Sequence, residues 1–531
     1  MKTKLAWLTT QRLLVAILFV AIFAMAARVQ VDTDTWWHLA SGRWMVQHGH
    51  QVLKHDPFSH TMLGKPRIQH GWLVQIVLYR LYAALGHTGL VLAMAAVVTL
   101  AFAFVFPLGG GSPYLRAFTT VLAAITSAVV WVARPQIVSF LLTAVFAYLL
   151  DRYKRRGRAP LWLLPPLTVL WVNCHGAFIT AFLLLGGYVV GEGLNWLIGW
   201  RPPSIPPACG GEASERQGGL SARQIRTLVL VTLICLAVVV LNPQTYRMYT
   251  YPFQTVSIGV LRDFIQEWRS PDFHGLHLHP FIWMLLLTLA AMGFSGQRAD
   301  LTDVGLVAGF AYLSLLAGRN IALFALLDGP VLARYGAPAL SRLAGAVRAR
   351  WSDMPADSET LPADQPQTRA RVPLSPRLAF LNWALLGLVA LAAVIKVAMP
   401  LLPTEREKAM ADFLPVEAVH YIQRERLPGP MFNSYNWGGY LIWTLYPDHL
   451  VFVDGRTDLY DDPFLRSYLD VVLVQENWRK VLARYGVRFV LIERDSALAR
   501  FLAADDGWQQ RYADDLAVIF VPQPPDDQSP G

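Results

Sequence analysis

The 531-residue sequence is poor in charged residues and in cysteine. Only 16% of its residues are charged, whereas soluble globular proteins carry about 25%. The three cysteines, Cys174, Cys209 and Cys235, are too few and too scattered for a disulfide framework or a zinc site. The sequence also lacks a phosphate-binding glycine-rich loop, a His-Glu-x-x-His motif and a serine nucleophile elbow. These absences exclude a soluble fold and a small disulfide scaffold, and they argue against ATP coupling within this chain.

Hydrophobic residues make up 54% of the chain and are concentrated in long runs. Because a membrane-spanning helix needs about 20 mostly apolar residues, the runs predict a polytopic α-helical membrane protein with about eleven spans. The predicted spans are 12–28, 88–107, 117–133, 136–150, 160–173, 177–197, 225–241, 279–295, 303–318, 321–335 and 378–399. The segment 72–86 is also apolar, but Gln75, Arg80 and two tyrosines favour a helix that lies in the membrane interface.

Basic residues set the predicted orientation, because cytoplasmic loops are enriched in Lys and Arg. Under this span count, four basic regions (2–4, 151–158, 201–226 and 334–377) fall on one side of the membrane. We therefore expect a cytoplasmic N-terminus and an extracytoplasmic C-terminal region. These loops largely explain the net charge of +9, so nucleic acid is not an expected partner. A cleavable signal peptide is the alternative interpretation of the first apolar run.

The chain divides into two predicted domains. Residues 1–400 form the membrane domain, with an outer loop at 29–87 and a flexible inner linker at 337–377. Residues 401–522 form an extracytoplasmic α/β domain, and a disordered tail follows at 523–531. In the second domain, β-rich runs alternate with helical segments, which predicts a largely parallel sheet. The predicted strands are 451–453, 487–492 and 517–521, and the predicted helices are 411–424, 464–485 and 497–504.

Polar and ionisable residues recur in the outer loop and in the short outer turns. Such groups are costly at membrane depth unless they face a polar cavity or one another. We therefore predict that they gather into one site on the extracytoplasmic rim. The catalytic candidates are Asp32, Asp34 and His38, and the substrate-binding candidates are Asp56, Arg134, Gln136, Asn173, His175, Glu267, Arg319 and Asn320.

Asp32 and Asp34 are the candidate catalytic carboxylates. In an extended segment both side chains would point to the same face, where they would suit a divalent metal or general-base chemistry. The alternative is a solvated loop or a helix cap before Trp36. His38 follows in the same segment, either as a proton carrier or as a hydrogen-bonding residue on a helix face.

Arg134 and Arg319 are the candidate phosphate ligands. A guanidinium keeps its charge at neutral pH and matches phosphate oxygens with paired hydrogen bonds, although arginine at a span end also snorkels without any function. Asp56 precedes Pro57 and is in part a turn former. In the C-terminal domain, segments 433–440 and 453–458 are either part of a ligand cleft at strand ends or ordinary turns.

The layout and several motifs resemble the GT-C glycosyltransferases, which include the protein O-mannosyltransferases and the aminoarabinose transferases of lipid A. The shared features are a large first outer loop that opens with Asp32-Thr33-Asp34, interfacial helices in that loop, many further spans and a soluble outer domain. The stretches Asp-Thr-Trp-Trp-His-Leu, Asp-Pro-Phe-Ser, Trp-Val-Asn-x-His-Gly and Asp-Gly-Arg-x-Asp-x-Tyr also resemble a group of bacterial membrane proteins. The C-terminal domain resembles neither the β-trefoil insert of the mannosyltransferases nor the outer domain of the oligosaccharyltransferases.

The resemblance implies an inverting transferase that moves a sugar from a polyprenyl-phosphate carrier to a glycan, lipid or protein acceptor on the outer side of a bacterial inner membrane. An acidic residue early in the first loop then serves as base or metal ligand, which maps onto Asp32 or Asp34. Basic residues at the outer boundary hold the phosphate, which maps onto Arg134 and Arg319. No cofactor is required, although a divalent metal (Mg²⁺ or Mn²⁺) on the two aspartates is compatible with the resemblance. A transporter and a non-catalytic envelope scaffold are the competing interpretations.

Overall fold

Long helices form the membrane domain. The computed structural model describes residues 7–199, 219–260, 265–351 and 375–523. Each predicted span coincides with a helix. These helices are α1 (Thr10–Ala26), α3 (Trp72–Val105), α4 (Pro113–Ser127), α5 (Gln136–Arg156), α6 (Leu164–Cys174), α7 (Ile179–Leu197), α8 (Ala222–Ala237), α10 (His279–Phe294), α11 (Leu301–Leu316), α12 (Ile321–Trp351) and α13 (Pro376–Ala398). The shorter helices α2 (Thr33–Gln47) and α9 (Arg247–Val256) lie between them.

The length and composition of these helices identify a membrane protein. In the described ranges, seven helices are long and apolar enough to cross a membrane, and α1, α6 and α11 are shorter apolar helices. The predicted number of eleven spans therefore stays a prediction. Helix α1 packs against α3 and α13, so the first and last apolar helices are neighbours in the bundle.

The interfacial segment predicted at 72–86 forms the first part of α3. Gly86 has φ 60° and ψ −152°, which interrupts the helix and separates residues 72–85 from residues 87–105. A side chain would strain this backbone conformation, so glycine is the residue that permits the kink. The break agrees with the predicted separation of segment 72–86 from the span at 88–107.

The predicted flexible linker at 337–377 is wrong in its first part. Helix α12 continues without interruption to Trp351, although Pro330 and Pro338 lie inside it. Residues 339–350 are rich in Ala, Leu and Arg, which are strong helix formers, and this local preference extends the helix beyond the apolar run. The remainder of the predicted linker at 352–374 lies outside the described residues.

At the end of the helix bundle opposite the outer turns, charged side chains pair with one another. Lys154 Nζ lies 2.5 Å from carboxylate oxygens of both Glu192 and Asp300. Arg334 contacts Asp303 at 2.6 Å. Buried charges are costly unless they are paired in this way, so this end of the bundle is a structural network.

A small mixed sheet forms the centre of the C-terminal domain. Its strands are β1 (Met431–Asn433), β2 (Phe489–Glu493), β3 (Trp508–Ala513) and β4 (Ala517–Pro522). The strand order is β1-β2-β4-β3, and only the β1–β2 pair is parallel. The helices of this domain are α14 (Pro403–Ala411), α15 (Val416–Glu425), α16 (Gly438–Leu445), α17 (Asp462–Val472), α18 (Trp478–Arg484) and α19 (Ala497–Ala503), of which α15 and α19 pack against the strands.

The prediction of a largely parallel sheet is therefore wrong. Strand β3 was missed because its sequence, Trp-Gln-Gln-Arg-Tyr-Ala, lacks apolar alternation, and β1 has only three residues. The predicted strand at 451–453 forms no ladder within the sheet. Instead, Val451 pairs with Ser59 of the outer loop through an isolated parallel bridge. The predicted disordered tail lies outside the described residues, except for Gln523.

The C-terminal domain and the outer loop are joined by a buried contact. Arg456 forms ion pairs with Asp56 of the outer loop and with Asp454 of its own loop, and all three side chains are fully buried. The Val451 N–H donates to the Phe58 carbonyl at 3.0 Å. One hydrophobic core runs through both domains. The two domains therefore share an interior and do not meet only at their surfaces.

We predict that Asp56→Ala strongly destabilises the protein, because it leaves the Arg456 guanidinium buried with one of its two partners removed. Breaking a buried ion pair costs about 3–5 kcal/mol, which thermal unfolding in detergent would detect. The matched control is Lys65→Ala, since Lys65 pairs with Asp461 at 3.6 Å and both side chains are exposed (38% and 60%). That control should change stability by at most about 1 kcal/mol, and equal effects of the two substitutions would contradict the prediction.

Candidate active site

The outer turn between α4 and α5 is held against the segment that leads into α2. Arg28 donates to the carbonyl oxygen of Trp131 at 2.8 Å. Gln30 Oε1 accepts a hydrogen bond from the Ala133 N–H at 2.9 Å. The turn therefore presents its next residue, Arg134, to the first turn of α2.

Three carboxylates surround the Arg134 guanidinium. Its Nε donates to Asp32 Oδ2 at 2.6 Å, and its Nη2 donates to the other oxygen of the same carboxylate. Its Nη1 lies 3.0 Å from Asp34 Oδ2 and 3.5 Å from Glu267 Oε2. The four residues come from α2, the α4–α5 turn and the segment after α9. We call these four residues the Arg134 cluster. Arg134 is thus bound to carboxylates, and its role as a phosphate ligand stays a prediction.

The two aspartates occupy a helix start and not an extended segment. Asp32 is the N-cap of α2, and its Oδ2 accepts the Thr35 N–H at 2.9 Å. Asp34 lies in the first turn, where the helix dipole favours a negative charge. The prediction that both side chains share one face of an extended segment is therefore wrong, and the helix-cap alternative is correct for Asp32.

The two carboxyl groups differ in basicity. Burial raises the pKa of Asp34 to about 6; the charge of Arg134 opposes this rise, and the nearby charges of Asp32 and Glu267 add to it. Burial also favours the neutral form of Asp32, but the charge of Arg134 and hydrogen bonds from Arg134 and Thr35 hold the pKa of Asp32 below its usual range. Asp34 is therefore the carboxylate that can accept a proton near neutral pH.

A loop of the C-terminal domain lies directly on Asp34. A Cβ on Gly455 would overlap Asp34 Oδ1, so no side chain fits at this position. The loop is fixed by Asp454, which accepts hydrogen bonds from the Arg456 N–H at 2.9 Å and from the Tyr460 hydroxyl at 2.8 Å. The sequence of segment 453–458 is compatible with a ligand cleft or with an ordinary turn. In the structure the segment is a turn, and it covers the candidate catalytic carboxylate.

A second group of residues, next to the Arg134 cluster, consists of two arginines and two histidines. Arg319 stacks on the Trp268 ring at 4.2 Å from its centroid and has no ion pair among the described residues. Arg67 contacts Asp458 at 3.3 Å, while its Nε and Nη1 are buried without hydrogen-bond partners in the described structure. We call Arg67, His70, His175 and Arg319 the cationic group.

The two histidines of the cationic group are in contact. Their rings lie 5.9 Å apart, and His70 Nδ1 is 2.6 Å from the Tyr251 hydroxyl. Burial lowers the pKa of His70 to about 4, and the charges of Arg67 and Arg319 lower it further, against the opposing effect of Asp458. Burial also lowers the pKa of His175 well below its usual value. At neutral pH the positive charge of this group therefore comes from its two arginines.

His38 is a buried hydrogen-bonding residue. Its Nδ1 lies 2.9 Å from Gln75 Nε2, and its ring lies 3.5 Å from the ring of Trp37. Burial and the charge of Arg134 lower the pKa of His38 well below its usual value. The structure favours the hydrogen-bonding alternative over the predicted proton carrier.

Several predicted substrate ligands have structural partners. Asp56 forms the buried ion pair with Arg456, so its carboxylate is fully buried in this structure, and its role as a substrate ligand stays a prediction. Asn173 Nδ2 donates to the Val169 and Leu241 carbonyls, and its Oδ1 accepts from Trp72 Nε1.

The remaining two candidates lie close to the arginines. Asn320 Nδ2 donates to the Leu313 carbonyl at 2.8 Å, near the end of α11. Gln136 begins α5 two residues after Arg134 and is half-buried. Its role as a substrate ligand stays a prediction.

Arg67, His70 and Gly455 are site residues that the local sequence does not predict. Arg67 lies in a polar outer loop, where an arginine is usually solvated, and its burial results from contact with a domain almost 400 residues away. The sequence Asp-Gly-Arg predicts a turn or a cleft, but the overlap between a Cβ on Gly455 and Asp34 depends on the docking of the two domains. No local sequence pattern carries this information.

Asp32 and Asp34 do not form a metal site in the described structure. No three His, Cys, Asp or Glu side chains in the described ranges are arranged to hold a metal ion. Both aspartates face the guanidinium of Arg134. The residues present therefore do not fit the predicted Mg²⁺ or Mn²⁺ ligation.

An apolar cleft of about 640 Å³ lies beside the candidate site. It is formed by the start of α3, by α6 and by the segment after α8, and Leu73, Leu170 and Leu241 are among its lining residues. Asn173 lies at its polar part. Gly71, next to the cleft, packs against Pro135 and the Cys174 carbonyl, which adjoin Arg134 and His175 in the chain.

Comparison with known proteins identifies similar folds. The oligosaccharyltransferase AglB from Archaeoglobus fulgidus, in complex with an inhibitory peptide and a dolichol-phosphate, matches with a TM-score of 0.52 and 12% identity, covering 92% of this chain and 70% of that chain. The apo form of the A. fulgidus oligosaccharyltransferase matches over the same shares with a TM-score of 0.50 and 12% identity. ArnT from Cupriavidus metallidurans, bound to undecaprenyl phosphate, has a TM-score of 0.45 and 14% identity over 96% of this chain and 97% of that chain.

No family model matches the sequence, and no curated protein is significantly similar to it in sequence. The similarity to the oligosaccharyltransferase confirms the predicted GT-C-like membrane fold. At this level of identity the similarity concerns the fold, so the chemistry must be argued from the residues of this chain.

We predict that Asp32→Asn destabilises the protein less than Asp32→Ala, because asparagine keeps the N-cap hydrogen bond to Thr35. Loss of an N-cap costs about 1 kcal/mol, and this difference should appear between the two variants in thermal unfolding. Both variants also lose the charge that binds Arg134. Equal destabilisation by the two substitutions would show that the cap contributes nothing.

Proposed function

We propose that this protein is a membrane glycosyltransferase that moves a sugar from a polyprenyl-phosphate carrier to an acceptor on the extracytoplasmic side of a bacterial inner membrane. One observation carries the proposal: the loop that covers Asp34, a buried carboxylate of raised pKa, also pairs with Arg67 through Asp458, and Arg319 stacks on Trp268, next to Glu267 of the Arg134 cluster. A base beside an anion site suits transfer from a phosphate leaving group.

In the proposed reaction, Asp34 accepts the proton of the acceptor hydroxyl as its oxygen attacks the anomeric carbon. The bond between that carbon and the phosphate oxygen breaks, and the sugar inverts its configuration. The bonding electrons leave with the polyprenyl phosphate. Arg67 and Arg319 stabilise the charge that develops on this phosphate. Neutral His70 and His175 offer ring nitrogens that hydrogen-bond beside the arginines.

The apolar cleft beside the site is the proposed position of the carrier chain. Its walls include exposed Leu170 and Leu241, as expected for a surface that contacts isoprenoid or lipid chains. A polyprenyl chain that enters there would bring its phosphate towards His175 and the cationic group. The dolichol-phosphate in the complex of the similar A. fulgidus oligosaccharyltransferase agrees with this class of ligand.

The C-terminal domain is the proposed cover of the reaction site. Gly455 contacts Asp34, and Asp458 holds Arg67. The domain therefore reaches both the proposed base and the proposed phosphate ligand. A cover of this kind excludes water, which would otherwise compete with the acceptor hydroxyl.

We predict that Arg319→Ala weakens binding of a polyprenyl phosphate to the protein in nanodiscs by at least about tenfold, or about 1.4 kcal/mol. The cause is the loss of a guanidinium that has no ion pair in the described structure. The matched control is Arg269→Ala, because Arg269 is an exposed arginine next to Trp268. Saturable binding that responds equally to both substitutions would contradict the assignment of Arg319.

We predict that sugar transfer decreases as the pH falls through about 6, because protonated Asp34 cannot act as a base. A panel of polyprenyl-phosphate sugars, with release of the free carrier phosphate as the readout, would supply the pH profile of kcat/KM. Glu267→Gln removes a charge that raises the pKa of Asp34, so it should move the acidic limb to lower pH. Asp34→Asn should abolish transfer. A full rate in this variant would exclude Asp34 as the base.

A further inference from the structure

Arg134 occupies the centre of a site that three carboxylates build. Asp32 binds it through both oxygens, and Asp34 and Glu267 approach the same Nη1 at 3.0 and 3.5 Å. These carboxylates come from separate parts of the chain. Their convergence on a single cation requires that the surrounding elements fix the guanidinium, and only 17% of the Arg134 side chain is exposed.

The backbone around Arg134 restricts its side chain to this position. The Arg134 N–H donates to the Val132 carbonyl at 2.7 Å, and Pro135 follows immediately. The preceding Ala133 is bound to Gln30, and its carbonyl accepts from the Thr35 hydroxyl at 3.3 Å. Arg134 is therefore part of the framework and not a flexible surface side chain.

A divalent cation and this guanidinium would compete for the same oxygens. Mg²⁺ and Ca²⁺ require oxygen ligands at about 2.0–2.6 Å. The Asp32 carboxylate already accepts two hydrogen bonds from Arg134, and Arg134 does not lose its charge at neutral pH. A metal ion would thus have to displace a buried cation of the same sign.

We propose that the Arg134 guanidinium is the resident cation of the Asp32–Asp34–Glu267 site and takes the place of a divalent metal. This inference rests on the proposed function for its catalytic consequence, which is sugar transfer that needs no metal ion. Arg134 acts as a positioning residue: it holds Asp34 at the start of α2 and keeps Asp32 ionised. The phosphate is left to Arg67 and Arg319.

Binding of Mn²⁺ to the purified full-length protein in detergent tests the inference without any transfer assay. Wild-type protein should show no stoichiometric Mn²⁺ site below about 1 mM, the weak end of protein cation sites. Arg134→Ala frees three carboxylates and should bind Mn²⁺ at least about tenfold more tightly than wild type. The control for a new site is the double variant Arg134→Ala/Asp34→Asn, which should lose this gain.

Two Mn²⁺-binding results would overturn the inference. One is stoichiometric Mn²⁺ binding by wild type that Asp34→Asn abolishes, and this comparison needs no Arg134 variant. The other is a folded Arg134→Ala protein that gains no Mn²⁺ affinity. In the transfer assay, EDTA should leave carrier-phosphate release within about twofold of the untreated rate, a barrier change of at most about 0.4 kcal/mol. An EDTA loss that Mn²⁺ restores would also overturn it. If no carrier phosphate were released under any condition, the proposed function would be refuted. The Mn²⁺ measurements would still test whether Arg134 occupies the place of a metal ion.

Discussion

The contact between Arg134 and its three carboxylates organises the candidate site. It joins the start of α2, the turn between α4 and α5 and the segment that carries Glu267. It also contributes to the difference in pKa between Asp32 and Asp34. Asp32 receives the paired hydrogen bonds and stays ionised, while Asp34 receives the weaker contact and has a pKa of about 6. Burial raises the pKa of Asp34, and Arg134 binds Asp32 more strongly, so two identical side chains become a base and an anchor.

The membrane domain and the C-terminal domain build the site together. Buried Arg456 joins Asp56 to Asp454, and this contact sets the loop whose Gly455 lies on Asp34. Asp458, four residues after Asp454, holds Arg67 in the cationic group. A displacement of the C-terminal domain would therefore change the environment of the proposed base and of the proposed phosphate ligand at the same time.

Patterns of local sequence predicted much of the fold. Apolar runs gave the helix positions, and the rule that polar groups at membrane depth must gather brought Asp32, Asp34, Arg134, Glu267 and Arg319 into one region. The partners within that region could not be predicted, because Arg134 contacts residues about 100 positions before it and more than 130 positions after it. A sequence shows that an arginine lies at the outer rim, but it does not show whether a carboxylate is already bound to it.

The C-terminal sheet illustrates the same limit. Strands β2 and β4 are apolar and were predicted, whereas polar β3 and short β1 were not. The apolar run at 451–453 is buried without a ladder: Val451 pairs with the outer loop, while Phe452 packs against the aromatic core of the C-terminal domain. Apolar composition predicts that a segment is buried, but the contacts that bury it are known only from the tertiary structure.

The most direct test is a cryo-electron microscopy structure of the protein in nanodiscs with a polyprenyl phosphate bound. The account predicts that the phosphate contacts Arg67 and Arg319, with the carrier chain in the cleft lined by Leu73, Leu170 and Leu241. Arg134 should keep its contacts with Asp32 and Asp34. A phosphate bound to Arg134, with the two aspartates displaced from the guanidinium, would contradict the account.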